Sequence, residues 1–364
     1  MSVYYYLCGH LLSLSAIYGF FNGGLASYAL PLVTFGFVPL VELCTKAQPE
    51  NLSADELKQR GESPAYHALV LSIVPLQYIM LGLYLWLASS NIWSLHEWLG
   101  NSISMGILCG AYGINAAHEL GHRTDKLSRF GAKALLLTSL YMHFFIEHNR
   151  GHHARVATEE DPASARLNET FYQFWVRSVS GSFKSAWALE VRRLKRRSIS
   201  QWSLQNEAFR FVLIELAFMT LIALSLGSQA LLAFVVAAFV GFSLLEIINY
   251  IEHYGLQRQK NERGRYEPVT PAHSWNADYP ISRVLLFELS RHSDHHAHPR
   301  RGYAQLRHFS MSYQLPTGYP GMIVLALFPF LYIPLMNKHI ESEAQRVSKS
   351  NIETHIEGSQ LKHA

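Results

Sequence analysis

The chain has 364 residues, 49% of them hydrophobic and only 16% charged, with 19 histidines and a net charge of +4. Its apolar residues run in long blocks, which excludes an ordinary water-soluble globule and points to an all-α, polytopic membrane bundle. Cys8, Cys44 and Cys109 stand alone with no C-x-x-C pair, which excludes a disulfide framework and a cysteine-held iron centre.

In chain order, blocks of spanning length fall at about 4 to 22, 24 to 44, 66 to 88, 99 to 117, 210 to 226 and 229 to 251, each close to the roughly 20 residues a bilayer core requires. Six transmembrane helices are predicted. The first block follows no basic segment and precedes no small-residue cleavage site, so it is expected to be a span and not a signal peptide. No Lys or Arg precedes Lys46, none lies between Arg60 and Arg123, and none between Arg210 and Arg258. The turns near 23, 89 to 98 and 227 therefore carry no positive charge, and all 31 basic residues fall on one side. The positive-inside rule makes that side the cytoplasm, with both termini there.

The stretch 132 to 147 (AKALLLTSLYMHFFIE) is apolar, but it is flanked by HELGHR and EHNRGHH, which must meet at one metal centre. It is expected to be re-entrant and not to cross. The stretch 321 to 336, with two internal prolines, is expected to lie at the interface. Residues 1–339 form one predicted domain. The polar tail, 340–364 with the residues just after Asn337, is expected to be a mobile extension whose His355 and His363 face solvent. No Gly-rich dinucleotide fingerprint, P-loop or internal repeat is present.

Nine histidines cluster: His118 and His122 in HELGH; His148, His152 and His153 in HNRGHH; His253 in NYIEHYG; and His292, His295 and His296 in RHSDHH. On an α-helix the i, i+4 pairs His118/His122 and His148/His152 each share a face, and His292 has partners at i+3 and i+4, so each box is expected to grip one ion from one side. Nine imidazoles exceed what one first-row ion accepts, which argues for two metals. Imidazole suits iron, copper, nickel and zinc alike, so the donor set leaves the metal open. Glu119, Glu147, Glu252 and Asp294 are interleaved with these residues, and His273 lies nearby in HSW. Their expected role is to accept the second N–H of a ligating ring, although a bridging carboxylate is a further option. His10, His67, His96, His143, His308 and His339 are expected to be hydrogen-bonded structural groups.

The set NAAHELGHR, FFIEHNRGHH, EEDPAS, NYIEHYGLQR, HSWN, RHSDHHAHPRR and LPTGYPGM resembles the bacterial membrane alkane 1-monooxygenases, within the fatty-acid-desaturase-like di-iron membrane enzymes, over residues 65 to 325. The three multi-histidine boxes are shared by desaturases, hydroxylases and xylene monooxygenases; NYIEHYGL with HSDHHAHP is more specific. The arm before the first span is shorter than the family's, and no rubredoxin domain is fused. The resemblance implies two non-haem irons held by the nine histidines in a cytoplasmic cap, oxygen as co-substrate, and terminal hydroxylation of n-alkanes to primary alcohols. It also implies a bacterial inner-membrane location and rubredoxin, with its NADH-dependent reductase, as electron donor.

An alkane C–H bond offers neither an acidic proton nor a leaving group, so a redox metal is needed and zinc is demoted. From the same resemblance, Thr34, Phe35 and Phe37 are expected to line a substrate channel. The basic runs containing Arg192 and Arg193, and Arg300 and Arg301, offer docking surface for an acidic carrier; membrane lipid is the other expected contact, and no nucleic acid is. Two alternatives differ in class. One is a desaturase or hydroxylase acting on a fatty acid or alkyl aromatic. The other is a histidine-rich metal transporter, which would place its ligands at mid-bilayer and not at one face.

Overall fold

The computed structural model describes residues 2–360, with side chains through 349, so His355 and His363 lie outside the residues whose side chains are described. Each predicted apolar block is helical. The first contains α1 (His10–Asn22), and the second is α2 (Gly24–Leu43). After the short polar α3 (Ala54–Glu62) comes α4 (Pro64–Ser89). Then α5 (Leu95–Ile107) passes through a π turn at Leu108–Ile114 into α6 (Asn115–Gly121).

The chain continues through α7 (Lys126–Leu137), α8 (Phe144–Glu147) and the amphipathic α9 (Phe171–Lys195). The 47-residue α10 (Glu207–His253) is broken at Gly227 into two halves that correspond to the fifth and sixth blocks. Among the described residues, three helices, α2, α4 and α10, are long and apolar enough to cross a membrane. With its histidine groups, this makes the chain an all-α membrane protein. Strands among the described residues are confined to a two-residue parallel pair, Trp275–Asn276 with Tyr313–Gln314.

The three turns that lack Lys and Arg meet at one end of the bundle. Glu97 at the start of α5 accepts from Gly24 N at 2.5 Å, and Trp93 Nε1 donates to Phe20 O at 3.1 Å. Gln229 and Leu232, just past the break in α10, share a cleft with Asn91 and Trp93. Along the bundle, the π turn after α5 and the second half of α10 approach closely because both carry small residues: a Cβ at Gly110 would strike Gly241 O at 2.5 Å.

The segment 132 to 147 is two pieces, not one helix, split by a turn in which Leu140 has φ 50°. Glu215 on α10 accepts from Met142 N at 2.8 Å in that turn. Its two flanks return to one place, since His122 and His148 lie 3.1 Å apart through their Nε2 atoms.

The C-terminal stretch departs from expectation. After α11 (Pro280–Leu285), α12 (His292–Ala297) and α13 (Tyr319–Ala326), a single helix α14 runs from Pro329 to Gln360. The predicted boundary at 339/340 falls inside it. Glu343 accepts from Gln314 N at 2.8 Å, Arg346 donates to Ser310 O at 2.6 Å, and Val347 is buried. The tail is thus docked at least through Val347, because an i, i+3 ion pair satisfies loop polar groups that composition alone cannot reveal.

Gly227 has φ 83° and ψ 177°, a region essentially restricted to glycine. Gly227→Ala is expected to destabilise the protein by about 1–3 kcal/mol, whereas Gly82→Ala, in an exposed helical site with open space around it, should be neutral or stabilising by up to ~1 kcal/mol. Thermal unfolding of both variants in one detergent checks this.

Candidate metal centre

Four chain segments bring the nine histidines together. α6 carries His118, and His122 caps its C-terminal end. A π turn at His148–His152 follows α8, α10 ends at His253, and α12 carries the last three. They form two groups, His118, His122, His148, His153 and His295 in one and His152, His253, His292 and His296 in the other, with the donor atoms of each within 4.8 Å of one another.

This partition differs from the one-box-one-ion expectation. His148 pairs with His153 at i+5, their Nε2 atoms 3.0 Å apart, while His152 faces His296 at 3.2 Å. The cause is the π turn, whose wider pitch stacks i and i+5 and turns His152 toward the other group. On α12, His292 and His296 stay together at 2.9 Å, and His295 crosses to His153 at 3.1 Å. Boxes two and three therefore each supply both groups, and the groups abut, with the His153 and His296 rings 4.6 Å apart.

The donor atoms fit a metal. Imidazole nitrogens bound at about 2.0–2.1 Å stand roughly 2.8–3.4 Å apart around an octahedral or tetrahedral ion, and the Nε2 pairs in both groups measure 2.9–3.3 Å. His118 Nε2 is buried and has no hydrogen-bond partner among the described residues. Burial, followed by the Arg123 and His152 charges, lowers His122 to about 4. Burial first, then neighbouring imidazoles, pushes His148, His153, His292, His295 and His296 well below the usual range. The rings are thus neutral at ordinary pH, which is the state that binds metal.

The surrounding carboxylates are arranged differently from expectation. Asp161, in EEDPAS, accepts from His152 Nδ1 at 2.8 Å and is further held by Ser164 Oγ at 2.6 Å. It is the carboxylate that orients a ring, and adjacency to a histidine box could not reveal it; the separate acidic motif was the only signal. Glu119 instead holds Arg123 and Tyr303 N, Glu147 pairs with Arg155, and Asp294 binds Arg301, Arg307 N and His298. These three join motif segments through arginines and backbone and orient no ligating ring.

Glu252 lies on the donor side, with Oε2 3.2 Å from His292 Nε2 and Oε1 accepting from Tyr319 OH at 2.8 Å. His273 pairs with Glu267 at 3.3 Å. His10, His67, His96, His308 and His339 each have an ordinary polar partner. His143 is buried against Tyr141 and Phe183.

A narrow apolar cavity of about 30 Å³ lies beside the two groups, walled by His118, His148, His292, Asn115 and Glu252. It shares Ile248, Leu286 and Tyr319 with a second narrow space of about 30 Å³ that reaches Leu12, Thr34, Phe35 and Ile323. Thr34 and Phe35 thus line it. Phe37 does not: it is 63% exposed on the outer face of α2, because the π turn at Val33–Phe37 rotates it away from Thr34.

A separate cleft of about 320 Å³ is floored by His122 and His153 and rimmed by Arg123, Arg129, Arg150 and Arg300. Arg192 is exposed elsewhere, on α9. Arg193 is paired with Glu190 and Arg301 with Asp294, as Arg150 and Arg123 on the cleft rim are with Glu190 and Glu119.

Two convergent histidine groups that could hold metal, beside an apolar cavity, define a helical membrane protein of the histidine-rich class. Residues 92–326 match the model of the family described as fatty acid desaturase. The chain is 42% identical over 323 residues to the alkane 1-monooxygenase of Acinetobacter baylyi, covering 88% of this chain and 79% of that protein. It is 38% identical over 337 residues to the alkane 1-monooxygenase of Pseudomonas putida, covering 92% and 84%. Similarity to the xylene/toluene monooxygenase hydroxylase component of Pseudomonas putida is lower, 29% over 325 residues, covering 88% and 84%. The chain belongs to the fatty acid desaturase family, in its alkane 1-monooxygenase branch, and is an oxidoreductase.

His152→Ala and His295→Ala, one from each group, should each release metal and abolish activity, and Asp161→Asn should lower metal affinity or activity roughly 10–100-fold while leaving the fold intact. Metal analysis with circular dichroism of the purified variants checks this.

Proposed function

We propose that the chain hydroxylates n-alkanes at the terminal carbon with molecular oxygen, giving primary alcohols, at two irons held by the five- and four-histidine groups. The observation that carries this reading is the apolar cavity walled by His118, His148 and His292, with a second apolar space reaching Thr34 behind Ile248, Leu286 and Tyr319, next to donors spaced for two ions. Overall, alkane, oxygen, two electrons and two protons give alcohol and water. Bound iron supplies the one-electron chemistry that activates oxygen, which no side chain here supplies. The chain's own part is to hold neutral imidazoles in place, exclude water from the cavity with Leu245, Ile248 and Leu286, and align a linear substrate end-on.

Electrons enter from an acidic carrier of the rubredoxin type, itself reduced by an NADH-dependent reductase, docked at the cleft rimmed by Arg123, Arg129, Arg150 and Arg300. That surface is compatible with such a carrier and shares Arg300 with the expected docking set of Arg192, Arg193, Arg300 and Arg301. The protein acts as one membrane domain of six spans in the bacterial inner membrane, with the histidine end and both termini in the cytoplasm.

Whole cells expressing the protein with a rubredoxin and its reductase should convert n-alkanes to 1-alkanols, and the protein purified from iron-replete cells should hold close to two irons per chain. An alkene product, or ring-methyl oxidation with no alkane conversion, would replace this reading with the desaturase or alkyl-aromatic alternative; a zinc-loaded protein would remove the redox mechanism.

Thr34 is 6% exposed and lines the far space. Thr34→Trp should abolish conversion of the longest accepted alkanes while shorter ones still react. A chain-length series on matched membranes checks this; equal loss at all lengths would mean general damage.

Topology is tested by reporter fusions: one after Ser90 should report the outer side and one after Arg166 the cytoplasm. An outer signal at Arg166 would contradict the re-entrant path of 132 to 147.

A further inference from the structure

Glu252 does something that none of the other carboxylates near the histidines does: it reaches a nitrogen on the metal-facing side of a ring. His292 Nε2 has His296 Nε2 at 2.9 Å, Glu252 Oε2 at 3.2 Å and His253 Nε2 at 3.3 Å. A single proton on that nitrogen could satisfy only one of three lone-pair atoms at this range, so the others would repel one another in a buried site. A cation among them satisfies all four. The oxygen also stands from the nitrogen at the spacing that separates ligands around one ion, the same spacing as among the four imidazoles.

The placement is specific. Glu252 precedes His253 on the last turn of α10, and neighbouring residues on a helix point in different directions, so the two cannot approach from one side. His253 enters the four-histidine group from the α10 end, whereas Glu252 enters from the cavity wall it shares with His118, His148 and His292. Its other oxygen is fixed by Tyr319 OH at 2.8 Å, and Tyr319 is itself buried and held through its backbone N by Ser282 Oγ at 3.2 Å. A carboxylate fixed through one oxygen and free to ligate through the other is how a protein presents a monodentate oxygen donor.

We propose that Glu252 is an oxygen ligand of the ion in the group formed by His152, His253, His292 and His296, presented from the cavity side and oriented by Tyr319. The four-nitrogen group thereby gains a fifth donor and matches the five donors of its neighbour. The two groups then differ in charge, since one is purely imidazole and the other carries a carboxylate. This rests on the two-metal reading above, and the test separates the two.

The purified, metal-free full chain in detergent is titrated with cobalt(II) alone, which reports its coordination through visible absorption bands. Wild type should bind two ions; binding fewer would overturn the two-metal reading itself, whatever Glu252 does. Glu252→Gln should weaken one of the two ions at least tenfold and change the bands of that ion, leaving the other ion's bands unchanged. Tyr319→Phe should shift the same bands with a smaller loss of affinity. If Glu252→Gln fails to give a monodisperse helical protein, the band shift in Tyr319→Phe decides. Wild-type bands in the folded variants, with or without weaker binding, would overturn ligation by Glu252 and leave it as a packing group.

Discussion

Everything in this molecule depends on holding nine imidazoles together in a space from which water is largely removed. Burial keeps the rings unprotonated, and it also makes them costly neighbours for one another unless a cation sits among their lone pairs. Such a centre cannot be assembled by local sequence alone. Its donors come from α6 and the turn after it, the π turn after α8, the end of α10 and α12, so four connections must all close on one point.

Buried ion pairs make that closure specific. Arg291, immediately before His292, is 1% exposed and binds Asp278 at 2.9 Å together with the carbonyls of Gln48, Glu50 and Leu306. It anchors α12 to the loop after α2. Glu190 on α9 receives Arg150 from the second box and Arg193, and it accepts from Glu207 N at the start of α10, so one carboxylate sets the relation of three segments. Breaking such a buried pair leaves an uncompensated charge, which is why these groups act as register pins more than as sources of net stability.

How much of this was legible depended on whether the determining interaction was local. The six apolar blocks and the nine histidines stand in the sequence because span length and metal-ligand chemistry impose residue types directly. The turns without Lys or Arg, near Gly23, Asn91 and Gly227, likewise meet at one end of the bundle. The partition of the boxes was not legible, because α-helical spacing places His148 with His152 whereas one π turn exchanges His152 for His153. The same kind of turn removes Phe37 from the cavity and leaves Thr34 in it. Asp161 and the docked part of α14 were missed for another reason: each is defined by a partner distant in the fold, His152 for one and Gln314 for the other.

The two histidine groups form a wall between unlike spaces. On one side the cavity is bounded by Ile248, Leu286 and Leu289, with a second apolar space reaching Leu12 and Thr34 beyond it. On the other, His122 and His153 floor a cleft rimmed with arginines. The apolar space and the basic cleft therefore reach the histidines from separate sides, and the five-histidine group borders the cleft through His122 and His153. The four-histidine group borders the cavity through His292 and, beside it, Glu252. The interleaving of boxes two and three between the groups has a mechanical consequence. The π turn and α12 each hold donors for both groups, so a shift of either element displaces both together and keeps the space between them fixed.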